Sequence, residues 1–297
     1  MIEIPESNTL ANQLNETIKG KKILSVITNN YHHKFAFFYN DPKEYNNLLK
    51  GRFIGNIFAY GGQIKISTID DSKFDGNNEI IKDDVIIVLS EDTIVKYVDG
   101  EEEIPEKHQL LIKFEDSSAI ICSARMYAQL HVALENDYEN DYFDIAMEKP
   151  SPLSENFDMD YFKGLLSEVR ANSSVKSFLA TKQRIPGLGN GSLQDILFNA
   201  RINPKTKIKR LSQEDKKRLF NGVKRTLYEM TKKGGRSTEK TLFGDYGGYE
   251  VILSSKTYKI PCPSCGDKIV KESYLGGTIY YCPTCQKTNS SQNLEIF

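Results

Sequence analysis

Two short cysteine pairs, Cys262-Pro-Ser-Cys265 and Cys282-Pro-Thr-Cys285, restrict what this chain can fold into more than any other stretch. Each C-x-x-C turn brings two sulfurs to one point, and the sixteen residues between the pairs are the length of a short hairpin. Residues 268–272 and 277–281 read as its strands, with Tyr274-Leu275-Gly276-Gly277 at the tip. Nothing resembling a secretory signal precedes this pattern, so metal is expected rather than disulfides. Four thiolates from Cys262, Cys265, Cys282 and Cys285 complete the tetrahedron that structural Zn2+ prefers, leaving no position for a reacting water. The fifth cysteine, Cys122, lies in an apolar run and reads as a small buried residue.

Upstream, the periodicity changes once. Short β-type runs follow a first helix that Ser7 is placed to cap and that carries Leu10, Leu14 and Ile18 on one face. The runs cover residues 22–28, 34–39, 52–60, 63–67, 85–89, 94–98, 109–114 and 118–122. An antiparallel β-sandwich over residues 1–137 fits them. An acidic, Pro-containing linker is expected over 138–159, followed by an all-α segment. There Phe162, Leu165, Leu166 and Val169 share one face, and Leu219, Phe220, Val223, Leu227 and Met230 share another. Ser212 and Asp215 are spaced as a capping box. The Gly-rich residues 234–248 read as a mobile loop, a ligand cap or a plain tether, which closes a helical domain at 160–248 and leaves 249–297 as the cysteine module. The fold class is therefore multidomain α+β.

Between two amphipathic stretches lies Pro186-Gly187-Leu188-Gly189-Asn190-Gly191. Bare backbone amides and the start of a second helix meet in this turn, which suits an anion-binding corner and equally an ordinary helical hairpin. Charge favours a polyanion. The formal net charge is only −1, but residues 70–106 hold thirteen acidic and three basic side chains, whereas residues 201–240 hold fourteen basic and four acidic ones. No apolar run reaches membrane-spanning length, so a soluble, cytosolic and monomeric protein is expected.

An N-terminal Glu3-x-Pro5-Glu6, a β-sandwich, a hairpin containing Gly-Leu-Gly-Asn and a terminal Tyr-Cys-Pro-Thr-Cys-Gln occur here in one order. This combination resembles the formamidopyrimidine-DNA glycosylase/endonuclease VIII family of base-excision repair proteins, over essentially the whole chain. The resemblance implies a helix–two-turn–helix domain and a partner in damaged or abasic double-stranded DNA. A nucleotide is flipped into a pocket between two domains and its glycosidic bond cut. In the family an N-terminal proline amine attacks the sugar and an adjacent acid moves protons. The matching positions here are Ile2 and Glu3, with Glu6 also retained. Bulky Ile2 should hinder removal of Met1, so the available amine is the primary amine of Met1, and a primary amine can still form a Schiff base.

Further positions carry over one by one. Lys176 and Asn190 match the family's phosphate contacts, Gly189 sits beside them, and Asp195, where a Glu is usual, is expected to join them at the DNA. Arg125 is expected to fill the place of the extruded base, and Tyr127 to wedge the stack or else pack as a core aromatic, with Tyr97 a weaker third wedge. Two cations are missing: Tyr60-Gly61-Gly62-Gln63 lacks the family's β-turn lysine, and Gly276-Gly277-Thr278 lacks the hairpin arginine. Two functions fit this pattern. One is a DNA glycosylase with AP-lyase activity using Met1 and Glu3. The other is a catalytically silent damaged-DNA-binding protein on the same scaffold, and a zinc-ribbon adaptor would leave the basic helical segment unexplained.

Overall fold

Residues 1–71 and 85–287 are described in a computed structural model of the protein. The chain divides into two compact units, one formed by Met1–Asp144 with Gly234–Gly248, the other by Ile145–Lys233 with the chain from Tyr249 on. The Gly-rich stretch thus packs with the N-terminal unit rather than closing the helical one. Gly247 shows how: a Cβ there would lie 2.3 Å from the carbonyl carbon of Gly235, so only glycine lets the stretch double back this tightly.

In the first unit, helix α1 (Ile4–Ile18) begins three residues before the expected cap. Glu3 takes the N-cap position with extended backbone, and its N–H donates to the Glu6 carboxylate at 3.1 Å. Pro5 occupies the first turn, where a missing N–H costs nothing. Ser7 instead donates its hydroxyl to the Gly61 carbonyl at 2.6 Å, fastening α1 to the turn between two strands. The strands are β1 (Ile23–Thr28), β2 (Ala36–Phe37), β3 (Phe53–Tyr60), β4 (Gln63–Ile69), β5 (Val85–Val98), β6 (Leu110–Phe114) and β7 (Ala119–Leu134), with the short helix α2 (Tyr45–Leu49) between β2 and β3. They form one seven-stranded sheet, in the order β1-β6-β7-β5-β4-β3, with β2 added in parallel to β7.

Its two edges meet in a bridge between Lys22 and Phe53, so the sheet folds over a single core that holds Leu14, Ile64, Leu89, Phe114 and Leu130. This is the two-layered β unit the alternation implied. Residues 85–89 and 94–98 are one strand, however. The polar residues between them continue the strand opposite a register shift, two steps on β5 from Glu91 to Thr93 facing four on β7 from Ala128 to Ala124, a bulge rather than a turn. Cys122 lies in the core, where burial pushes its thiol up to about 12.

The expected linker is not irregular. Tyr138 and Phe143 are buried against Ile86 and Val88 on the other face of the sheet, and helix α3 (Asp141–Glu148) forms there. Beneath it, His131 Nδ1 lies 2.8 Å from the Tyr138 hydroxyl, and burial pushes its imidazole down to about 4. The unfolded chain takes up this proton near pH 6.5 and the folded one near 4, so stability is full above the unfolded value and falls as pH drops through that window. Urea unfolding at pH 7 and pH 4 should show a loss of about 3 kcal/mol from this residue, absent in His131→Phe.

The second unit contains α4 (Met159–Ser167), α5 (Val175–Ala180), α6 (Asn190–Ala200), α7 (Gln213–Lys232) and the hairpin β8 (Val270–Tyr274)–β9 (Gly277–Tyr281). Ser212 and Asp215 form the expected capping box of α7. The cysteine hairpin shares a core with the helices, where Phe198 of α6 packs with Leu253, Cys262, Tyr280 and Cys282. Residues 249–287 are therefore not a separate module. Among the described residues no helix is long and apolar enough to cross a membrane.

Candidate catalytic cluster and nucleic-acid interface

At the N-terminus, Ile2 is drawn into the core of the first unit, which fixes the residues on either side of it. Glu3 and Glu6 are 2% and 4% exposed, a placement two carboxylates tolerate only with a cation between them. Arg236 is that cation. Its Nη1 donates to Glu3 at 3.2 Å, its Nε and Nη2 to the two Glu6 oxygens at 3.0 and 2.7 Å, and Nη2 also to the Met1 carbonyl at 3.1 Å. Burial alone would lower the guanidinium pKa, but Glu3 and Glu6 raise it well above its ordinary value, so it stays charged.

Above this pair, the Met1 amine lies 2.5 Å from a Glu239 oxygen and 3.8 Å from Asp92. Arg125 reaches the same two carboxylates at 3.0 and 3.4 Å. Burial pushes the Glu239 carboxyl up, but the Met1 ammonium, Arg236 and Arg125 outweigh it and hold it below the usual carboxylate range. The result is an amine on a partly exposed residue, beside two carboxylates and anchored through the Met1 carbonyl by Arg236.

Tyr127 stands on the surface, 48% exposed, two residues along β7 from Arg125, and is not a core aromatic. Tyr97 does not join them. Its ring packs against the main core, and its hydroxyl accepts a hydrogen bond from Lys21 at 3.1 Å, which removes the ground for a third wedge. Lys65, the nearest lysine to the turn at Gly61-Gly62, is buried and paired with Glu135 at 2.5 Å.

In the second unit α5, the hairpin and α6 take the expected helix–turn–helix form. Arg184 turns back to donate to the Ser177 and Thr181 carbonyls at 3.2 and 3.1 Å, satisfying the carboxyl end of α5. Gly189 is the N-cap of α6, so Asn190 opens its first turn. The Asn190 amide donates to the Thr278 carbonyl at 2.9 Å, and Lys176 donates to the Tyr274 carbonyl. Lys176, Asn190 and the β8–β9 tip are thus gathered at the positive end of α6. Burial pushes the Lys176 ammonium down from its ordinary value. Asp195 is elsewhere. It is fully buried, and its carboxylate accepts the N–H groups of Ile252 and Leu253 at 2.9 and 2.8 Å, so it braces the chain after the loop instead of facing a ligand.

The four cysteine sulfurs lie within 4.8 Å of one another, with Cys262–Cys285 at 3.8 Å and Cys265–Cys282 at 3.5 Å. The edge of a tetrahedron with metal–sulfur bonds of about 2.3 Å is about 3.8 Å, so the set could hold one metal ion.

Residues 149–241 match the family described as Formamidopyrimidine-DNA glycosylase H2TH domain. A formamidopyrimidine-DNA glycosylase of Wolbachia pipientis is 30% identical over 292 residues, covering 96% of this chain and all of that one. The chain belongs to the formamidopyrimidine-DNA glycosylase/endonuclease VIII family. A further member, from Lactobacillus gasseri, is 25% identical over 295 residues. In fold, the glycosylase family is met again in the MutM (Fpg) protein of Thermus thermophilus, with TM-score 0.74, 23% identity and 96% of this chain covered. The Lactococcus lactis Fpg, solved in complex with DNA containing an abasic site, aligns with TM-score 0.78 and 21% identity over 96% of this chain and 100% of its own. Of the residues gathered around Met1, Asp92, Arg236 and Glu239 are not marked out by the sequence. The only local sign of Arg236 and Glu239 is charge, shared with Lys240 and Asp245, in an otherwise Gly-rich stretch.

Proposed function

We propose that the protein is a base-excision repair DNA glycosylase with AP-lyase activity, acting on damaged or abasic duplex DNA through the Met1 amine. Membership of the family supports the reaction class. The observation that carries the amine is its position, 2.5 Å from Glu239 and 3.8 Å from Asp92. A carboxylate of this cluster takes a proton from the ammonium, and the freed lone pair forms a bond to the sugar C1′. The bond from C1′ to the base breaks, its electrons leave with the base, and the base takes up a proton. The bound nitrogen then gives a proton to a carboxylate, its lone pair breaks the bond from C1′ to the ring oxygen, and that oxygen takes up a proton, leaving an iminium. Removal of a C2′ proton then expels the 3′ phosphate oxygen and cuts the strand. Glu3, held by Arg236, serves as the proton carrier, and Glu6 keeps Glu3 and Arg236 in place.

The second unit supplies grip. Lys176, Gly189 and Asn190 offer an ammonium, a helix N-terminus and an amide to backbone phosphates, positioning DNA without reading sequence. The cysteine set would hold one structural Zn2+, whose part is to fasten β8 and β9 to α6 so that the hairpin tip keeps its place.

Borohydride reduction in the presence of a duplex with one abasic site tests the proposal. A covalent protein–DNA adduct is expected, absent when the α-amine is blocked by acetylation and reduced at least tenfold in Glu3→Gln. Peptide mass mapping after trapping would place the adduct on Met1. Tight abasic-site binding with no adduct under any condition would instead select the catalytically silent reading.

A further inference from the structure

We propose that the cleft between α4 and the first turns of α7 is a docking site for a partner protein, through an acidic peptide segment that places an apolar side chain in it. The cleft measures about 440 Å3 and is lined from α4 by Met159 and Lys163 and from α7 by Lys216, Lys217 and Phe220. Both sets follow the three- and four-residue spacing of a single helix face. Met159 and Phe220 form an apolar floor that is only half-buried. The Phe220 ring is nevertheless fixed: Phe157 stacks on it with centroids 6.2 Å apart and planes within 3°, and Phe162 meets it at 5.6 Å, both of these rings being fully buried. A floor already held in place costs an incoming side chain little ordering.

The rim sets the charge of the occupant. Lys163, Lys216 and Lys217 bring three ammonium groups to one cleft, and no lining residue is acidic. The acids close by in sequence are engaged: Asp158 caps α4, Asp160 pairs with Lys163 at 2.8 Å, and Asp215 is held by the α7 cap and by Arg218. Among the described residues, neither the Lys216 nor the Lys217 ammonium makes a hydrogen bond or an ion pair. Both belong to the basic stretch 201–240, of which the grip at Lys176 and Asn190 makes no use. Other cations of that stretch serve the fold itself, Lys205 on Glu272, Lys224 on the Ser154 and Phe157 carbonyls and Arg236 on Glu3 and Glu6. A row of phosphates would take up the free ammonium groups and leave the Met159–Phe220 floor in water, whereas an acidic segment with an apolar anchor covers both. Alternating acidic and apolar residues are a recurrent composition of disordered interaction segments. The cleft shares no residue with the Met1 cluster or with the Lys176–Asn190 corner, so it goes beyond the glycosylase reading and does not rest on it.

A fluorescein-labelled twelve-residue peptide of alternating aspartate and leucine, with one central phenylalanine, is titrated with the intact protein and read by anisotropy. Saturable binding is expected, lost when serine replaces the apolar residues at unchanged charge. A Lys216→Glu, Lys217→Glu double variant should bind the acidic peptide about tenfold more weakly and prefer the same peptide with lysine in place of aspartate. Neither lysine is buried, so the variant keeps its fold, and its abasic-duplex trapping should stay within about twofold of the parent. That second readout separates the cleft from the proposal on the amine. No binding by the parent, equal affinity for the serine peptide, or equal affinity in parent and variant would overturn the docking role. So would displacement of the peptide by duplex DNA together with weaker duplex binding by the variant, which would assign the two lysines to phosphates. A change from dimer to monomer in the variant would overturn it as well, by assigning the cleft to a second copy of this chain.

Discussion

Arg236→Met loses about 3–5 kcal/mol of stability and abolishes adduct formation, because the change strips the cation from two carboxylates that are almost wholly buried. The arginine makes four hydrogen bonds to Glu3, Glu6 and the Met1 carbonyl through its side chain, and its backbone N–H makes a fifth to Glu6 at 3.1 Å. Without it, Glu3 and Glu6 repel each other in a site where water cannot screen them, and the first helical turn that holds Met1 opens. Urea unfolding reads the stability and borohydride trapping reads the amine. The two effects separate in a triple variant, Arg236→Met with Glu3→Gln and Glu6→Gln. Removing the charges together restores most of the stability, since an ion cluster replaced as a whole costs far less than one broken in half. Adduct formation stays low in the triple variant, because the proton carrier at Glu3 is gone. Full stability in Arg236→Met alone would refute the anchoring role.

Removing the metal is expected to have the other large effect. The protein purified under reducing conditions should contain one zinc per chain by elemental analysis, and Cys282→Ser or a strong chelator should unfold the hairpin. Binding energies of about 10–16 kcal/mol are typical of such four-cysteine sites, more than a hairpin of two five-residue strands can supply by itself. The damage extends beyond the hairpin. Tyr280 and Cys282 pack on Phe198, the Tyr280 N–H donates to the Gln194 side chain at 3.1 Å, and Gln194 and Asn190 both donate to the Thr278 carbonyl. Duplex binding should therefore fall with the metal, while the β-sheet unit keeps its far-ultraviolet signature. A chain that folds and binds DNA fully without zinc would overturn this assignment.

What could be seen in the sequence follows from the range of the interactions. The cysteine pairs, the Ser212–Asp215 cap and the Gly189–Asn190 start of α6 are made between residues a few positions apart, and their chemistry is written locally. Arg236 is not, because its partners lie 230 and 233 positions away and its Gly-rich neighbours suggest mobility rather than anchoring. The role of Asp195 is hidden for a related reason. A carboxylate on an amphipathic helix reads as exposed, and nothing nearby shows that two backbone N–H groups 57 and 58 residues later will require it. The tyrosines illustrate a third limit. Between the pairs Thr93–Ala124 and Glu91–Ala128, β7 takes four steps where β5 takes two, so the face of Tyr127 cannot be counted by alternation along β7.

The return of Gly234–Gly248 to the N-terminal unit also sets an order of assembly. Synthesis delivers Glu3 and Glu6 first and Arg236 more than two hundred residues later. The acidic pair thus waits for a segment more than two hundred residues downstream before its charge is neutralised. A nascent chain halted at residue 200 would carry the sheet strands with an unfinished end, and the amine chemistry would switch on only once Arg236 has emerged.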